Sequence, residues 1–487
     1  MGMMRSVFAA LIALTAAFGG VAKGTIRPAS IFSDNMVIQA DKPVRIWGSS
    51  DTQAVIEVSL IAEGRVEASA KASTVGGKWR VELPAMKSSF LPRTVSITGG
   101  TDTAVINNVL IGEVWLAAGQ SNMQFPLMNA IGAIPLIQEA AGLSSIRIFF
   151  QASAKPSAIP LDDVYEGKWS VNSSNSAKWS SAVGYSFARK LYEYLNVPIG
   201  LVHTPQGGTN IQVWMAREIF ETYPELKRDF PAEDYDWQQQ DSWQKDTGLF
   251  NSKIYPLAGF PLRGVLWYQG ENNASLPSQY RQLFKLMAED WRKRWDTGSM
   301  SFLYVQLAAY ENEDWRQFRL VQLECLKDVS NSAMVVTADL PLDYGLDIAG
   351  FYGTPHPIHP ATKLPVGERL AKAAMAVTYR RKIEYSGPMA FAVDIVGSRL
   401  FVRFLHTGKG LVFSPKQGVS GFEVAGADGV YHPAIAAIKD CRIILYSENV
   451  FSPVKARYGW DKVPAMTLFN LDGLPASPFV IESEIQN

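Results

Sequence analysis

Serine and histidine are the residues of this sequence whose spacing could support nucleophilic chemistry. Ser121 comes three residues after an apolar run at 109–118. A serine hydroxyl is a poor nucleophile at neutral pH and needs a base within hydrogen-bond reach. Two of the five histidines, His356 and His359, share one loop-like segment that could reach Ser121. A serine hydrolase is therefore one hypothesis, although Gly-x-Ser by itself is more typical of a turn.

Attack on a carbonyl also requires hydrogen-bond donors for the oxyanion that develops. The backbone N–H groups of Ser121 and Gly208 and the side-chain amide of Gln269 are candidates. Each of the three follows an apolar, strand-like run, at 109–118, 197–203 and 263–268 respectively. Binding sites of open parallel sheets form where such strands end. We therefore expect these residues to meet at one edge of a sheet.

The elements that position these residues alternate between strand-like runs and helical periods. Further strand-like runs lie at 146–150, 301–307 and 333–339, and helical periods at 183–195, 280–295 and 314–329. This alternation predicts an α/β fold with a parallel sheet covered on both faces. A polar stretch with several tryptophans, 218–246, interrupts the order. It predicts an inserted helical lobe or lid, with a solvated surface excursion as the alternative.

Short strand-like runs separated by glycine-rich turns flank this region on both sides, which is typical of β-sandwich-like domains. The predicted division is a signal peptide at 1–22, an N-terminal β domain at 23–107, a hydrolase domain at 108–383 and a C-terminal β domain at 384–487. In the first segment Arg5 precedes an apolar run that ends in small residues at 20–22. This pattern indicates a secretory signal and a periplasmic or secreted protein.

Composition excludes several classes of function. The 487 residues contain 46 basic and 46 acidic side chains, so the net charge is zero. A nucleic-acid partner is not expected, because polyanion binders usually carry a basic excess. The two cysteines exclude a disulfide-built scaffold. After the first segment no run is long and apolar enough to cross a membrane, so no membrane association is expected.

Four blocks of the sequence, in order, resemble the sialate O-acetylesterase family of the SGNH hydrolase superfamily. They are 112–123, 207–209 with Trp214, 267–274, and 358–360 with Lys363. The resemblance implies an SGNH-type, flavodoxin-like parallel-sheet core and a serine esterase without metal or organic cofactor. By position, Ser121 matches the nucleophile and His359 the base. Gly208 and Gln269 match oxyanion donors, with Gly207 as the alternative if the register shifts by one.

One departure from the pattern concerns the group that orients the base. SGNH enzymes commonly have an aspartate three residues before the catalytic histidine, and His356 occupies that position here. A backbone carbonyl or an aspartate of the preceding loop (Asp339, Asp343 or Asp347) could hold the imidazole instead. A Ser–His dyad is a further alternative.

Three residues near the blocks are candidates for substrate contact. Asn122 could touch substrate or fix the loop, Trp214 could stack on a sugar or pack in the core, and Arg217 could pair with a sialate carboxylate. The resemblance implies removal of O-acetyl groups from sugars such as sialate. The alternatives are an acetylesterase for plant polysaccharide (xylan or xyloglucan) and a non-catalytic carbohydrate-binding protein on the same scaffold.

Overall fold

The computed structural model describes residues 25–151, 155–297, 299–343, 357–414 and 418–483. The signal peptide predicted at 1–22 lies outside the described residues, as do Asp347 and His356.

The N-terminal part consists of short strands in which buried and exposed side chains alternate, the period expected of half-buried antiparallel strands. β1, β3 and β6 form one sheet, and β5, β4 and β7 pair in a second sheet that continues into β8. The strands are β1 (Ile26–Pro28), β2 (Val37–Gln39), β3 (Val44–Ser50), β4 (Val55–Ala62), β5 (Arg65–Ser73), β6 (Lys78–Leu83), β7 (Ser89–Gly99) and β8 (Asp102–Gly119).

β8 is a single 18-residue strand that belongs to two parts of the molecule. Its first half pairs antiparallel with β7 and then parallel with β2. Its second half, from Glu113 onward, lies at the middle of the central parallel sheet. The domain boundary predicted at 107/108 falls inside this strand, and the division into domains stays a prediction.

The central sheet has the strand order β10-β9-β11-β8-β12-β13-β14, with β10 antiparallel to its neighbour and the other strands parallel. Its elements after β8 are α1 (Ser121–Gln124), α2 (Ala133–Glu139), β9 (Ile146–Gln151), β10 (Gly167–Val171), α3 (Ser174–Trp179), α4 (Ala182–Leu195), β11 (Ile199–His203), α5 (Arg217–Thr222), β12 (Gly264–Tyr268), α6 (Pro277–Arg294), β13 (Ser301–Val305), α7 (Arg316–Asp328), β14 (Ser332–Val335) and α8 (Leu364–Val377). Every residue of β11, β12 and β13 is buried, as expected for parallel strands covered on both faces. The predicted α/β class with strands in these regions is confirmed.

The finer prediction of a flavodoxin-like core stays a prediction. Five of the parallel strands lie in the order β11-β8-β12-β13-β14, which is 2-1-3-4-5 in chain order, the order of flavodoxin-like sheets. β9 and the antiparallel β10 extend the sheet beyond β11, because β9 pairs with both β11 and β10. β8 still has later parallel strands, β11 and β12, on its two sides.

The C-terminal part returns to short antiparallel strands in three small sheets, ordered β15-β16-β21-β20, β17-β23 and β19-β18-β22-β24. The strands are β15 (Met389–Val396), β16 (Arg399–Leu405), β17 (Leu411–Phe413), β18 (Phe422–Ala425), β19 (Tyr431–Pro433), β20 (Ile435–Lys439), β21 (Arg442–Tyr446), β22 (Lys455–Tyr458), β23 (Leu468–Asn470) and β24 (Phe479–Glu482). The fully buried Arg319 of α7 joins this part to the core, because its guanidinium donates to the carbonyls of Asp461 and Lys462, both at 2.8 Å.

In the described ranges, no helix is both long and apolar enough to cross a bilayer.

Candidate active site

Three of the predicted loops meet at the carboxyl edge of the central sheet. The loop after β8 receives a hydrogen bond from Gln206 N to Gly119 O (2.9 Å), and Gln120 N donates to Tyr268 O (2.9 Å) at the end of β12. Gly119 turns the chain with a φ of +129°, and a Cβ there would lie 2.2 Å from Tyr268 O. Glycine is therefore required where β8 ends, and this turn presents Ser121 as the first residue of α1.

The glycine pair after β11 lies directly against the serine. Gly207 N donates to Gln124 Oε1 at 2.7 Å, and a Cβ on Gly207 would be 3.4 Å from Ser121 Cβ. Gly208 follows with a φ of +72°, and its N–H has no acceptor among the described residues. Of the two glycines, Gly208 thus retains an N–H that could donate to a substrate oxygen.

The histidine loop is fixed next to the serine on both sides of His359. Before it, Ile358 O accepts a 2.9 Å hydrogen bond from Asn122 Nδ2. After it, Ala361 O accepts from Ile131 N at 3.0 Å. The residue that follows Ser121 is therefore hydrogen-bonded to the residue that precedes His359. Each of the two predicted catalytic residues is one position away from this bond in the sequence.

The group that orients His359 stays a prediction, but one candidate is engaged elsewhere. Asp339 forms a bidentate ion pair with Arg369, with both N–O distances at 2.7 Å. The carbonyl of Asp343 accepts from Ala361 N at 2.8 Å, so its chain segment runs beside the histidine loop. Asp347 and His356 lie outside the described residues.

Asn122 is the centre of a buried polar cluster behind the serine. Its Nδ2 donates to Glu271 Oε1 at 2.5 Å as well as to Ile358 O, and its Oδ1 accepts from Lys363 Nζ at 2.6 Å. Asn122 is almost fully buried and its polar atoms are satisfied by protein. This favours the alternative that it fixes the loops, and its role in substrate contact stays a prediction.

Both ionisable members of this cluster are perturbed. Burial is the largest influence on Lys363 and lowers its pKa from 10.5 to about 7, against a smaller opposing effect of Glu271. Burial also raises the pKa of Glu271, and the hydrogen bond from Asn122 opposes this shift. Asn122 thus separates a buried acid from a buried amine, and its amide supplies each with a complementary partner.

The structure gives Gln269 a different environment from the one predicted. Its side chain is fully buried, and its Nε2 donates to Thr209 O at 3.1 Å and to Asn273 Oδ1 at 2.8 Å. A side-chain amide has two N–H donors, and both are directed to protein acceptors. These bonds hold Thr209, the neighbour of Gly208, and the oxyanion role of Gln269 stays a prediction.

The other two predicted substrate contacts, Trp214 and Arg217, each contact protein side chains. Trp214 is fully buried, its Nε1 donates to Thr209 Oγ1 at 3.1 Å, and its ring packs edge-on against Trp267. Arg217 is exposed at the start of α5, and its guanidinium lies over the ring of Phe230 at 4.7 Å. Trp214 packs in the core, which was the second of the two roles considered for it. The guanidinium of Arg217 contacts an aromatic ring.

Lys363 and Trp243 are two residues near the site to which the sequence analysis gave no role. Lys363 lies four residues after His359 within the last block of the resemblance. This short spacing was the sequence feature that could have indicated a place for Lys363 near the site. Trp243 comes from the 218–246 stretch, which folds as α5 and short turns such as Ser242–Gln244. The sequence feature that could have indicated a functional role for Trp243 is its place as a tryptophan in a polar, turn-rich stretch.

Metal coordination finds no support among these side chains: the described part of the chain contains no group of three or more His, Cys, Asp or Glu residues arranged to hold an ion.

Comparison with known proteins identifies the family of this chain. A family model described as "Carbohydrate esterase, sialic acid-specific acetylesterase" matches residues 111–375, more than half of the chain. The chain belongs to this family. It is a carboxylic ester hydrolase that removes O-acetyl groups from carbohydrate, as the sequence predicts.

Individual relatives extend the similarity beyond the family model. The sialate O-acetylesterase of Mus musculus is 30% identical over 430 residues, which cover 76% of this chain and 77% of the relative. The human sialate O-acetylesterase is 29% identical over 402 residues, with 77% and 75% covered. The crystal structure of a carbohydrate acetylesterase from Xanthomonas citri superposes with a TM-score of 0.81 and 32% identity, covering 94% of this chain and 99% of that one. This last similarity includes both flanking β regions.

Proposed function

We propose that this carbohydrate esterase acts as an SGNH-type serine hydrolase with Ser121 as nucleophile and His359 as base. The observation that carries the proposal is the hydrogen bond from Asn122 to Ile358 O, which joins the serine loop to the histidine loop at adjacent residues. A nucleophile and its base need such fixed proximity, because the serine must lose its proton as it attacks.

In the proposed reaction, Ser121 Oγ attacks the acetyl carbonyl carbon while His359 accepts the hydroxyl proton. The resulting oxyanion receives hydrogen bonds from the N–H groups of Ser121 and Gly208. Collapse breaks the bond from the acetyl carbon to the sugar oxygen, which takes the proton from His359 and leaves as the sugar hydroxyl, so that an acetyl-enzyme remains. Water, deprotonated by His359, then attacks the acetyl-enzyme and releases acetate and free Ser121.

The substrate we propose is an O-acetylated sugar of the sialate type, supported by the family description and by the names of the mammalian relatives. Acetylated plant polysaccharide, xylan or xyloglucan, remains the alternative within the same mechanism. We also propose that residues 1–22 direct the protein to the periplasm or outside the cell; the apolar run after Arg5 supports this.

Acetate release tests both the mechanism and the substrate. Wild-type protein and Ser121→Ala would be compared on 4-nitrophenyl acetate, O-acetylated N-acetylneuraminic acid and acetylated xylan. We expect release from the acetylated sialic acid to depend on Ser121 and to exceed release from xylan. Equal release by Ser121→Ala would refute the mechanism, and activity confined to xylan would refute the substrate.

A further inference from the structure

The turn that carries Trp243 brings its indole ring onto the loop we propose as the oxyanion site. A Cβ built on Gly208 would lie 2.7 Å from Trp243 Cη2 and 2.8 Å from Cζ3. The outer edge of the ring therefore rests on the Cα of Gly208, and only glycine fits beneath it. Trp243 itself is half-buried, so part of its surface remains accessible beside this glycine.

Trp243 differs from the other twelve tryptophans in its contacts. Eight of them donate an indole hydrogen bond, and four lie against an aromatic ring or a cation. The first group is Trp79, Trp115, Trp169, Trp214, Trp267, Trp291, Trp295 and Trp315, and the second is Trp47, Trp179, Trp237 and Trp460. Trp243 has neither kind of partner among the described residues.

The segment that presents this ring is held by charged and polar contacts. Lys245 Nζ bridges Asp229 at 2.9 Å and Asp241 at 3.0 Å. The buried carboxylate of Asp246 accepts from the backbone N–H groups of Arg228 (2.9 Å) and Asp229 (3.2 Å). These bonds fix the segment on both sides of the turn that carries Trp243, so the position of its backbone is set before any ligand arrives.

A second set of contacts ties the segment to the site. The guanidinium of Arg228 donates to Asn272 O, and Asn272 Nδ2 donates to Gly208 O. The inserted segment, the loop after β12 and the glycine beneath Trp243 are thus one connected unit. The turn that carries Trp243 is therefore tied to the loop whose Gly208 would hold the acyl group.

We propose that Trp243 forms a sugar-binding subsite beside the acetyl-binding position. The ligand class is a pyranose ring, whose apolar C–H face packs on an indole while its hydroxyls stay in water. With the acetyl oxygen at Gly208 N–H, the sugar to which the ester is attached lies against the indole. The subsite rests on the proposed function, since it concerns the sugar part of that substrate.

The test compares Trp243→Ala and Trp243→Phe with Trp237→Ala, a matched control in the same segment. Trp237 contacts Tyr235, and its ring lies at Gly248 rather than at Gly208. Two esters would be used: O-acetylated N-acetylneuraminic acid, and ethyl acetate, which has no ring. We expect Trp243→Ala to raise KM for the sugar ester about tenfold with little change in kcat. Ethyl acetate hydrolysis stays within about twofold, and Trp243→Phe recovers most of the affinity.

Three results would overturn the subsite. They are an unchanged KM for the sugar ester in Trp243→Ala, a parallel loss on ethyl acetate, and an equal loss in Trp237→Ala. Calorimetric binding of N-acetylneuraminic acid to wild-type and Trp243→Ala protein gives a readout that does not require turnover. Equal affinities there contradict the subsite, whereas absence of Ser121-dependent acetate release contradicts the proposed function instead.

Discussion

Replacing Lys363 by methionine tests whether the buried cluster behind Ser121 positions the catalytic loops. Methionine has a similar length and is apolar, so it fills the space without donating a hydrogen bond. Asn122 Oδ1 then loses the 2.6 Å bond from Lys363 Nζ. A buried acceptor left without a donor costs about 1–3 kcal/mol, which corresponds to roughly 5- to 150-fold in a rate or equilibrium.

We expect this cost to appear in kcat, because Lys363 acts through Asn122 and does not line the surface a substrate would contact. For Lys363→Met, kcat on 4-nitrophenyl acetate should fall about 10- to 100-fold, with KM changed by less than about threefold. Lys253→Met is the matched control. Lys253 is also fully buried with a pKa lowered to about 7, but it is not among the partners of Asn122.

The same pair of variants gives a pH readout with a defined sign. The folded-state pKa of Lys363, about 7, lies below the ordinary lysine value of 10.5 because the side chain is buried. Below pH 7 both states are charged and the burial penalty is fully present. Between pH 7 and 10.5 the unfolded chain keeps a proton that the folded chain has released, so the free energy of unfolding rises with pH.

The slope of this rise is about 1.4 kcal/mol per pH unit. Between about pH 7.5 and about pH 9, each lysine should raise the free energy of unfolding by about 2 kcal/mol. In urea titrations, each methionine variant should show a rise that is smaller by this amount. Lys363→Met should combine this loss with the fall in kcat, whereas Lys253→Met should show the pH effect alone. Retention of wild-type kcat by Lys363→Met, or an equal fall in Lys253→Met, would refute the positioning role.

Other perturbations give simpler expectations. Ser121→Ala should lose on the order of 10⁴–10⁶ in kcat with an unchanged circular dichroism spectrum, and a variant that keeps a tenth of the activity excludes Ser121 as nucleophile. His359→Ala should be nearly inactive and His356→Ala should lose about tenfold or less; the reverse result would show that the base is misassigned. EDTA should leave acetate release unchanged, and a loss restored by zinc contradicts the metal-free mechanism. Arg319→Leu should lower the free energy of unfolding by roughly 3–5 kcal/mol in a urea titration, because a buried guanidinium's four hydrogen bonds to carbonyls are lost; a change under about 1 kcal/mol would argue against its role as the link to the C-terminal sheets.

The sequence was sufficient to predict those helices and strands whose apolar residues recur in a clear local pattern. The strands that became β8, β9, β11 and β12 are apolar runs bounded by polar or glycine-rich loops, and the rule that parallel strands end at one edge brings those loops together. The order of the strands was not accessible in the same way. Whether β9 pairs with β8 or β11 depends on packing between segments far apart in the chain, which no local pattern encodes.

The details of the site depended on long-range contacts for the same reason. Asn122 and Lys363 are 241 residues apart, and nothing near either one indicates the hydrogen bond between them. Gln269 has the residue type of an oxyanion donor, but its amide hydrogens are taken by neighbours that only the folded loops supply. Trp214 and Trp243 are equivalent as residue types. Their surroundings alone make one a core residue and the other a half-exposed ring.

The continuity of β8 limits how the protein can be divided. β8 begins among the N-terminal strands, where it pairs with β7 and β2. It ends at Gly119, two residues before Ser121. A fragment starting at residue 108 would lack both partners and present an unpaired strand edge, a known template for aggregation. We therefore expect that the part of the chain from residue 108 onward does not fold properly without the N-terminal strands. Evolutionary exchange or engineered replacement of the N-terminal strands has to preserve the twist and register of β8, because a change in β8 would also move Ser121, the proposed nucleophile.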